Sequence, residues 1–373
     1  MESAEAPAST PSLRRRITSG LISLVLVVAI FVGVFPRIAS YDAVWRTIAD
    51  MTWLDLSGVA ALAALNLFTY LLVLTAVLPG LRYREAFVAN NSSTAVANTV
   101  PAGAAIGIGV NFAMYRSWGF DNGAIALSIL VSGLWNVFLK LGLPIVAVVL
   151  LVIGGEADTS LVSASLVGVV VLTATIVLFA LALRSDRLAN GIGHALSGSV
   201  NWLRARFHRP PVGEWGRQAV VFRDETAGLL ESRWLRITAA ILLSHLTLYL
   251  VLLVTLRAVG VSEAAVSWAQ VLAAFAFGRL LTALPLTPGG LGLIELGYTA
   301  ALSVGVDEMT RNKIVAAVLV FRALTYLTPI FIGGVTYLVW LRNRSWRRPV
   351  GSRADHIDPG GPARGELSAP QKP

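Results

Sequence analysis

The chain has no cysteine and only four histidines. The first absence excludes disulfides, thiol nucleophiles and thiolate metal ligands together. The second, with no histidines and acids gathered at ligand spacing, leaves no metal site to propose and no cofactor to expect. Charge is scarce as well. Asp, Glu, Lys and Arg make up 14% of 373 residues against 55% hydrophobic, and the mean hydropathy is +0.70. A soluble domain of this length needs more charge to cover its surface. There is no Walker-type loop and no nucleophile elbow. GAAIGIG (103–109) and GGLGLIELG (289–297) are glycine-rich, but they lie in apolar stretches and follow no strand, so neither is read as a nucleotide site. No catalytic residue is assigned, and the chain is expected not to be an enzyme.

What is present is long apolar runs. LISLVLVVAIFVGVF (21–35), LVSASLVGVVVLTATIVLFALAL (161–183) and AAILLSHLTLYLVLLVTL (239–256) approach bilayer-spanning length, about 17–25 residues. The net charge of +9 would suggest nucleic acid in a soluble protein. Here the positive charge sits in the tails and one loop, where it sets topology, so no nucleic-acid partner is expected. Arg14, Arg15 and Arg16 precede the first run, but RIAS (37–40) is a poor cleavage site, which favours an uncleaved signal anchor over a signal peptide.

Basic residues cluster in the N-tail, at LRYRE (81–85), in 184–236 and from Arg342 onward, whereas GGEADTS (154–160) carries acid alone. The positive-inside rule then places both termini in the cytoplasm of a multi-pass cell-membrane protein. The expected parts are an N-tail at 1–17, a membrane domain at 18–184, a basic cytoplasmic loop at 185–235, a second membrane domain at 236–342 and a disordered tail at 343–373. In the loop, Leu188, Ile192, Leu196 and Val200 recur at helical spacing. A basic helix on an anionic leaflet and a solvated connector both fit.

The two membrane domains read alike. Each has a full span, a pair of apolar segments broken in the middle, and a long last stretch with a proline. The breaks are NTVPAG (98–103) and LPLTPGG (284–290). An offset of 186 carries Gly103 onto Gly289, Gly119 onto Gly305 and Asn136 onto Arg322, with Pro144 one residue from register with Pro329. The first pair is entered from the cytoplasm and the second from outside. The expected fold is therefore an all-α polytopic membrane protein with inverted-topology repeats, each holding a re-entrant helical hairpin.

Pro285 and Pro288 remove backbone donors, and Gly289, Gly290 and Gly292 open backbone conformations closed to other residues. A break at membrane depth survives only where protein or water surrounds it. The second half-helix, beginning near Leu291, would aim a positive dipole end into the protein and favour an anion such as phosphate. VPAGAAIG (100–107), with Pro101 and Gly103, offers the same device. The alternative is that the glycines serve only tight helix packing. Arg279, Glu295 and Arg322 lie in apolar stretches, where a lone charge costs about 2.5–3.5 kcal/mol on insertion scales. They must face inward. Glu295 could balance one or both arginines and leave guanidinium donors for a phosphate, or form a closed pair that clamps the hairpin. If the first holds, Arg322→Gln loses activity and keeps the protein; lost protein marks the clamp. Asn98 and Arg116 flank the first break as head-group candidates. Lys140 either snorkels or lines a cavity, and His245 is read as an interhelical hydrogen-bond partner.

The run PLTPGGLGLIELG resembles the membrane domain of the lysylphosphatidylglycerol synthase and flippase-like family. The matching positions are Pro285, Pro288, Gly289, Gly290, Gly292, Glu295 and the Gly305–Val306 pair, with Arg322 in the following helix. The likeness spans about residues 15–345. In the first half Asn98 and Pro101 fit, but AGAAIGIGVNFAMYR lacks the family's glutamate, and Arg116 stands at an uncertain spacing. The resemblance implies transbilayer movement of a phosphate-bearing lipid, an aminoacyl-phospholipid or a polyprenyl phosphate lipid. In the full synthases a separate soluble domain makes the aminoacyl lipid. This chain ends about 30 residues after its last span, so no aminoacyl transfer is expected. The alternative is a non-transporting subunit that assists a lipid-modifying partner enzyme such as a glycosyltransferase or aminoacyl-lipid synthase. Homo-oligomerisation stays open.

Overall fold

The computed structural model describes residues 40–100, 103–155, 159–206, 210–213, 215–282 and 287–352. The expected first span at 20–36, Pro101 and Pro285 lie outside these. Among the described residues the chain is all-helical. The helices are α1 Tyr41–Ala49, α2 Trp53–Val77, α3 Tyr83–Thr99, α4 Gly103–Ser117, α5 Asn122–Ile153, α6 Thr159–Arg184, α7 Asp186–Arg206, α8 Gly216–Ala258, α9 Trp268–Leu281, α10 Leu293–Leu302, α11 Glu308–Arg322 and α12 Thr328–Arg342. Five stretches are long and apolar enough to cross a membrane: α2, α5, Leu166–Arg184 in α6, Ala219–Ala258 in α8, and Glu308–Arg342 through α11 and α12. The chain is a polytopic membrane protein by length and composition. α6 shows why composition decides this. Leu166, Val167, Val170 and Leu178 are all exposed, an apolar surface suited to hydrocarbon.

Local sequence sets the helix starts. Thr52 and Asp55 cap α2 reciprocally, and Ser267 and Gln270 do the same for α9. Asp121 accepts from the Ala124 N–H at 2.9 Å and Asp307 from the Thr310 N–H at 2.9 Å, opening α5 and α11. The two caps are 186 residues apart, each two residues after a positive-φ glycine, Gly119 or Gly305. α11 and α12 form one rod interrupted by a π turn at Ala323–Leu327, where the Thr328 N–H bonds the Ala323 carbonyl. Pro329, with no N–H of its own, follows at once.

Packing crosses between the halves. α2 meets α8 through a polar seam: Asn66 donates to the Ser244 carbonyl at 2.7 Å and to Thr247 at 2.9 Å, and Thr69 bonds Thr247 at 3.1 Å. In an apolar solvent such bonds position helices that hydrophobicity cannot tell apart. α3 packs on α12, where a Cβ at Gly333 would overlap the Asn91 carbonyl and Ser92 bonds Thr336 at 2.9 Å. Reciprocally, α9 packs on α5 through Ala269, Ala273 and Ala276 against Ala147 and Leu151.

Two helix pairs are too short to span. α3, α4, α9 and α10 have 17, 15, 14 and 10 residues, about 15–25 Å against a hydrocarbon thickness of about 30 Å. The start of α3 and the end of α4 meet one segment after α12. Arg84 lies over the Trp346 ring, and the Arg348 N–H donates to the Ser117 carbonyl at 2.9 Å. At the other end of the bundle α1 docks on α11, with Val44 against Val315 and Ala316, and Lys313 reaches the Gly260 carbonyl at 3.4 Å before α9 begins.

Two segments differ from expectation. Residues 185–235 are helical over most of their described length: α7, then the start of α8, so the boundary set at 235/236 falls inside one 43-residue helix. α7 is held because a Cβ at Gly193 would overlap the Trp215 carbonyl and stand 2.8 Å from Ala219. Residues 343–352, assigned to the tail for their composition, are packed. Trp346 stacks edge-on to buried Trp118 at 6.4 Å, and the Gly351 N–H bonds the Gly119 carbonyl at 3.0 Å. Residues 353–373 lie outside the described set.

Candidate functional site

The two breaks in the short helix pairs meet. The backbone after α9 turns through Pro288–Gly290, with Gly289 and Gly290 at φ of 58° and 70°, and Gly292 at 83° heads α10. Three left-handed positions in five residues admit little but glycine. The turn sits against the last residues of α3. A Cβ on Gly289 would overlap the Tyr326 ring and stand 2.7 Å from the Asn98 side-chain oxygen. Tyr326, projecting from the π turn, donates to the Asn98 carbonyl at 2.8 Å. Asn98 and Gly289 are therefore neighbours across the two halves.

Glu295 and Arg322 form a closed unit beneath this contact. Arg322 Nε donates to Glu295 Oε1 at 2.7 Å, and the two side chains are 13% and 1% exposed. The other carboxylate oxygen accepts the Gly292 N–H at 2.7 Å, which satisfies the head of α10 and matches its dipole. Arg322 Nη2 reaches the Gly289 carbonyl at 3.2 Å, and its Cζ lies 4.3 Å from the Tyr326 ring centre. The positive helix end read from sequence as a phosphate cradle is thus already met, in part, by Glu295.

Arg279 is different. It stands in the last turn of α9 and is paired with no acid among the described residues. Nη2 is 3.4 Å from His245 Nε2, while its Nε is buried without a partner. His245 Nδ1 lies 3.1 Å from the Ile241 carbonyl, so Nδ1 carries the proton and Nε2 accepts from Arg279. Lys140, Tyr70, Tyr298 and Arg322 lie within electrostatic reach of Arg279. Tyr70 neighbours Asn136, and Tyr298 fills the space that the missing Gly278 side chain leaves. Six helices (α2, α5, α8, α9, α10 and α11) thus converge on one polar layer beside the α2–α8 seam. Its cations are Arg279, Lys140 and Arg322, and Glu295 is the acid named among its partners. Sequence reasoning missed Tyr70 and Tyr298. The available signal was a polar-tipped ring inside an apolar span, which must find a partner when buried.

The first half is built otherwise. Gly103 heads α4, where a Cβ would overlap the Ala97 carbonyl and stand 2.7 Å from that of Val96; at Gly107 it would stand 2.8 Å from the Ser93 carbonyl. These glycines bring α4 onto α3, the packing role left open from sequence. Arg116, at the far end of α4, is about 20 Å from that helix start by its rise alone, so it does not join Asn98 and Gly289. Pro288 opens the turn through its backbone, and Gly290 faces Ile294.

Residues 20–333 match the lysylphosphatidylglycerol synthase TM region. The chain belongs to that family. No curated protein matches it. The match embraces both short helix pairs and every residue of the Arg279–Arg322 cluster.

Proposed function

We propose that this member of the lysylphosphatidylglycerol synthase membrane family is a non-enzymatic, flippase-like carrier. It moves a phosphate-bearing lipid, an aminoacyl-phospholipid or a polyprenyl phosphate lipid, across the cell membrane, with both termini cytoplasmic. The two short helix pairs act as re-entrant hairpins of an inverted repeat. Support comes from the reciprocal packing of α3 on α12 and α9 on α5, from the matched caps Asp121 and Asp307, and from the tip contact at Asn98 and Gly289.

One observation carries the reading: a half-buried guanidinium, Arg279, in a layer of membrane helices, its Nε enclosed without a partner and with no acidic partner among the described residues. Such a charge is costly in hydrocarbon and is kept where it meets an anion. A lipid phosphate supplies the missing charge at Arg279 and Lys140 while the acyl chains stay in the bilayer. Arg322 shapes the turn that brings the layer together.

The test is leaflet exchange of fluorescent phosphatidylglycerol, lysyl-phosphatidylglycerol and polyprenyl phosphate in proteoliposomes. Arg279→Gln should cut exchange at least about tenfold, the value of one charge-assisted hydrogen bond, with unchanged abundance and melting temperature. Exchange at the wild-type rate would refute the reading. A second reading, a subunit that assists a lipid-modifying enzyme, is favoured by α7, whose Leu188, Ile192, Leu196 and Trp202 are exposed. It predicts that Arg279→Gln is silent and that polar substitutions on this stripe abolish partner activity.

A further inference from the structure

Arg116 has a place of its own. Gly109, Phe112, Ala113, Arg116 and Ser117 fall at helical spacing on one face of α4 and, with Arg347, Arg348 and Val350 of the segment after α12, line an open cleft of about 480 Å³. That size suits a small ligand or head group. The wall opposite α4 is fixed by main chain, through the bonds from Arg348 to Ser117 and from Gly351 to Gly119, and by Trp346 between Trp118 and Arg84. A side chain on Gly119 would drive this segment off, since its Cβ would stand 2.9 Å from the Pro349 carbonyl and 3.1 Å from Arg348 Cβ.

The lining has three guanidinium groups and no acid, and none of the three is in an ion pair among the described residues. Scattered basic residues at the end of a span need only hydration. Here two chain segments distant in sequence hold them beside one space, with an apolar side of Gly109, Phe112 and Ala113 running back along an outward face of α4. We infer that this cleft binds a phosphate group, and that Phe112 and its neighbours favour a phosphate carried on an acyl lipid over the free ion. Guanidinium forks match phosphate oxygens in pairs, and the apolar wall gives the first methylenes of a chain a surface that water does not reward. The site stands apart from the Arg279 layer and does not depend on the transport reading.

The purified full chain in detergent tests it, with retained lipid counted by native mass spectrometry for phosphatidylglycerol and for phosphatidylcholine, and with inorganic phosphate titrated alone. Arg116→Gln/Arg347→Gln should weaken phosphatidylglycerol retention at least about tenfold and reduce the phosphate response to the part that the Arg279 layer supplies, with an unchanged melting temperature. Lysine at both positions should restore part of it. Phe112→Ala should weaken phosphatidylglycerol and leave inorganic phosphate unaffected; unchanged retention of both would assign the free ion and overturn the lipid preference. The double glutamine substitution should cause the same fold-loss of phosphatidylglycerol when Arg279→Gln is already present, which separates this site from the transport layer. Unchanged retention and phosphate response in the double glutamine variant would overturn the site.

Discussion

Replacing Glu295 by Gln tests the division between a structural and a binding arginine. The substitution keeps the shape and an oxygen able to accept the Gly292 N–H, so most of the capping contribution, about 1 kcal/mol, survives. It removes the only carboxylate bonded to Arg322 among the described residues. Breaking a buried pair on one side costs about 3–5 kcal/mol, because the remaining charge is uncompensated. The Tyr326 ring at 4.3 Å still offsets about 1 kcal/mol, leaving a loss of about 2–4 kcal/mol. For a chain of this size that is a fall of about 5 °C in melting temperature, read from the fluorescence of its ten tryptophans in detergent. Arg322→Gln should cost less. A stranded carboxylate can neutralise itself by binding a proton, and a guanidinium cannot. The double variant Glu295→Gln/Arg322→Gln strands nothing and should recover most of the loss, a coupling of about 2 kcal/mol. Strictly additive single losses, or a Glu295→Gln protein that melts with the wild type, would refute the clamp.

Four further outcomes follow from the same geometry. Gly289→Ala places a Cβ against Tyr326 at a positive φ and should destabilise by about 1–3 kcal/mol, with part of that recovered by Tyr326→Ala in thermal denaturation. Asn66→Ala leaves the Ser244–Thr247 seam without its donor and should cost about 1 kcal/mol on the same assay. Hydrogen bonds from Thr310 hold the Asp307 carboxyl below its ordinary value of 3.8. Its contribution is therefore present above that value and lost as pH falls through the lower folded one, so Asp307→Asn should flatten the acid limb of a stability-against-pH curve. Inorganic phosphate or sulfate should raise the melting temperature of the Arg116→Gln/Arg347→Gln protein through the Arg279 layer, with log-linear dependence on concentration, and should do nothing once Arg279→Gln is added; a rise in that triple variant would place the anion elsewhere.

The helices were legible because length and punctuation are one-dimensional. The spans at 53–77, 122–153 and 159–184 follow from apolar runs, and the breaks after Thr99 and Leu281 from Pro and Gly in places a helix cannot use them. Glu295 and Arg322 were legible because two charges in apolar stretches must face inward. What was hidden is rotation. A span that is apolar on every side gives no sign of which face meets which neighbour, so nothing announced that Glu295 would choose Arg322 over Arg279, or that Tyr70 and Tyr298 would join the same layer. The packing of 343–352 was hidden for another reason. Composition marks that segment as soluble, and a single tryptophan between Trp118 and Arg84 decides its position.

The two halves share a plan and divide the work unequally. Where the second half has Arg322, the first has Asn136, which donates to the Ser132 carbonyl beside Tyr70 and carries no charge. Where the second half fixes its tip with an ion pair, the first closes α4 onto α3 through Gly103 and Gly107 and takes its remaining support from the other half, by way of Tyr326 on Asn98. The missing glutamate of the first half is then no gap to be filled. With no guanidinium at 136 there is no charge for it to balance, and a carboxylate there would compete with any anion for Arg279 and Lys140. An acid in one half alone leaves the layer with more cation than acid among the described residues, and that excess is what the proposed phosphate would meet.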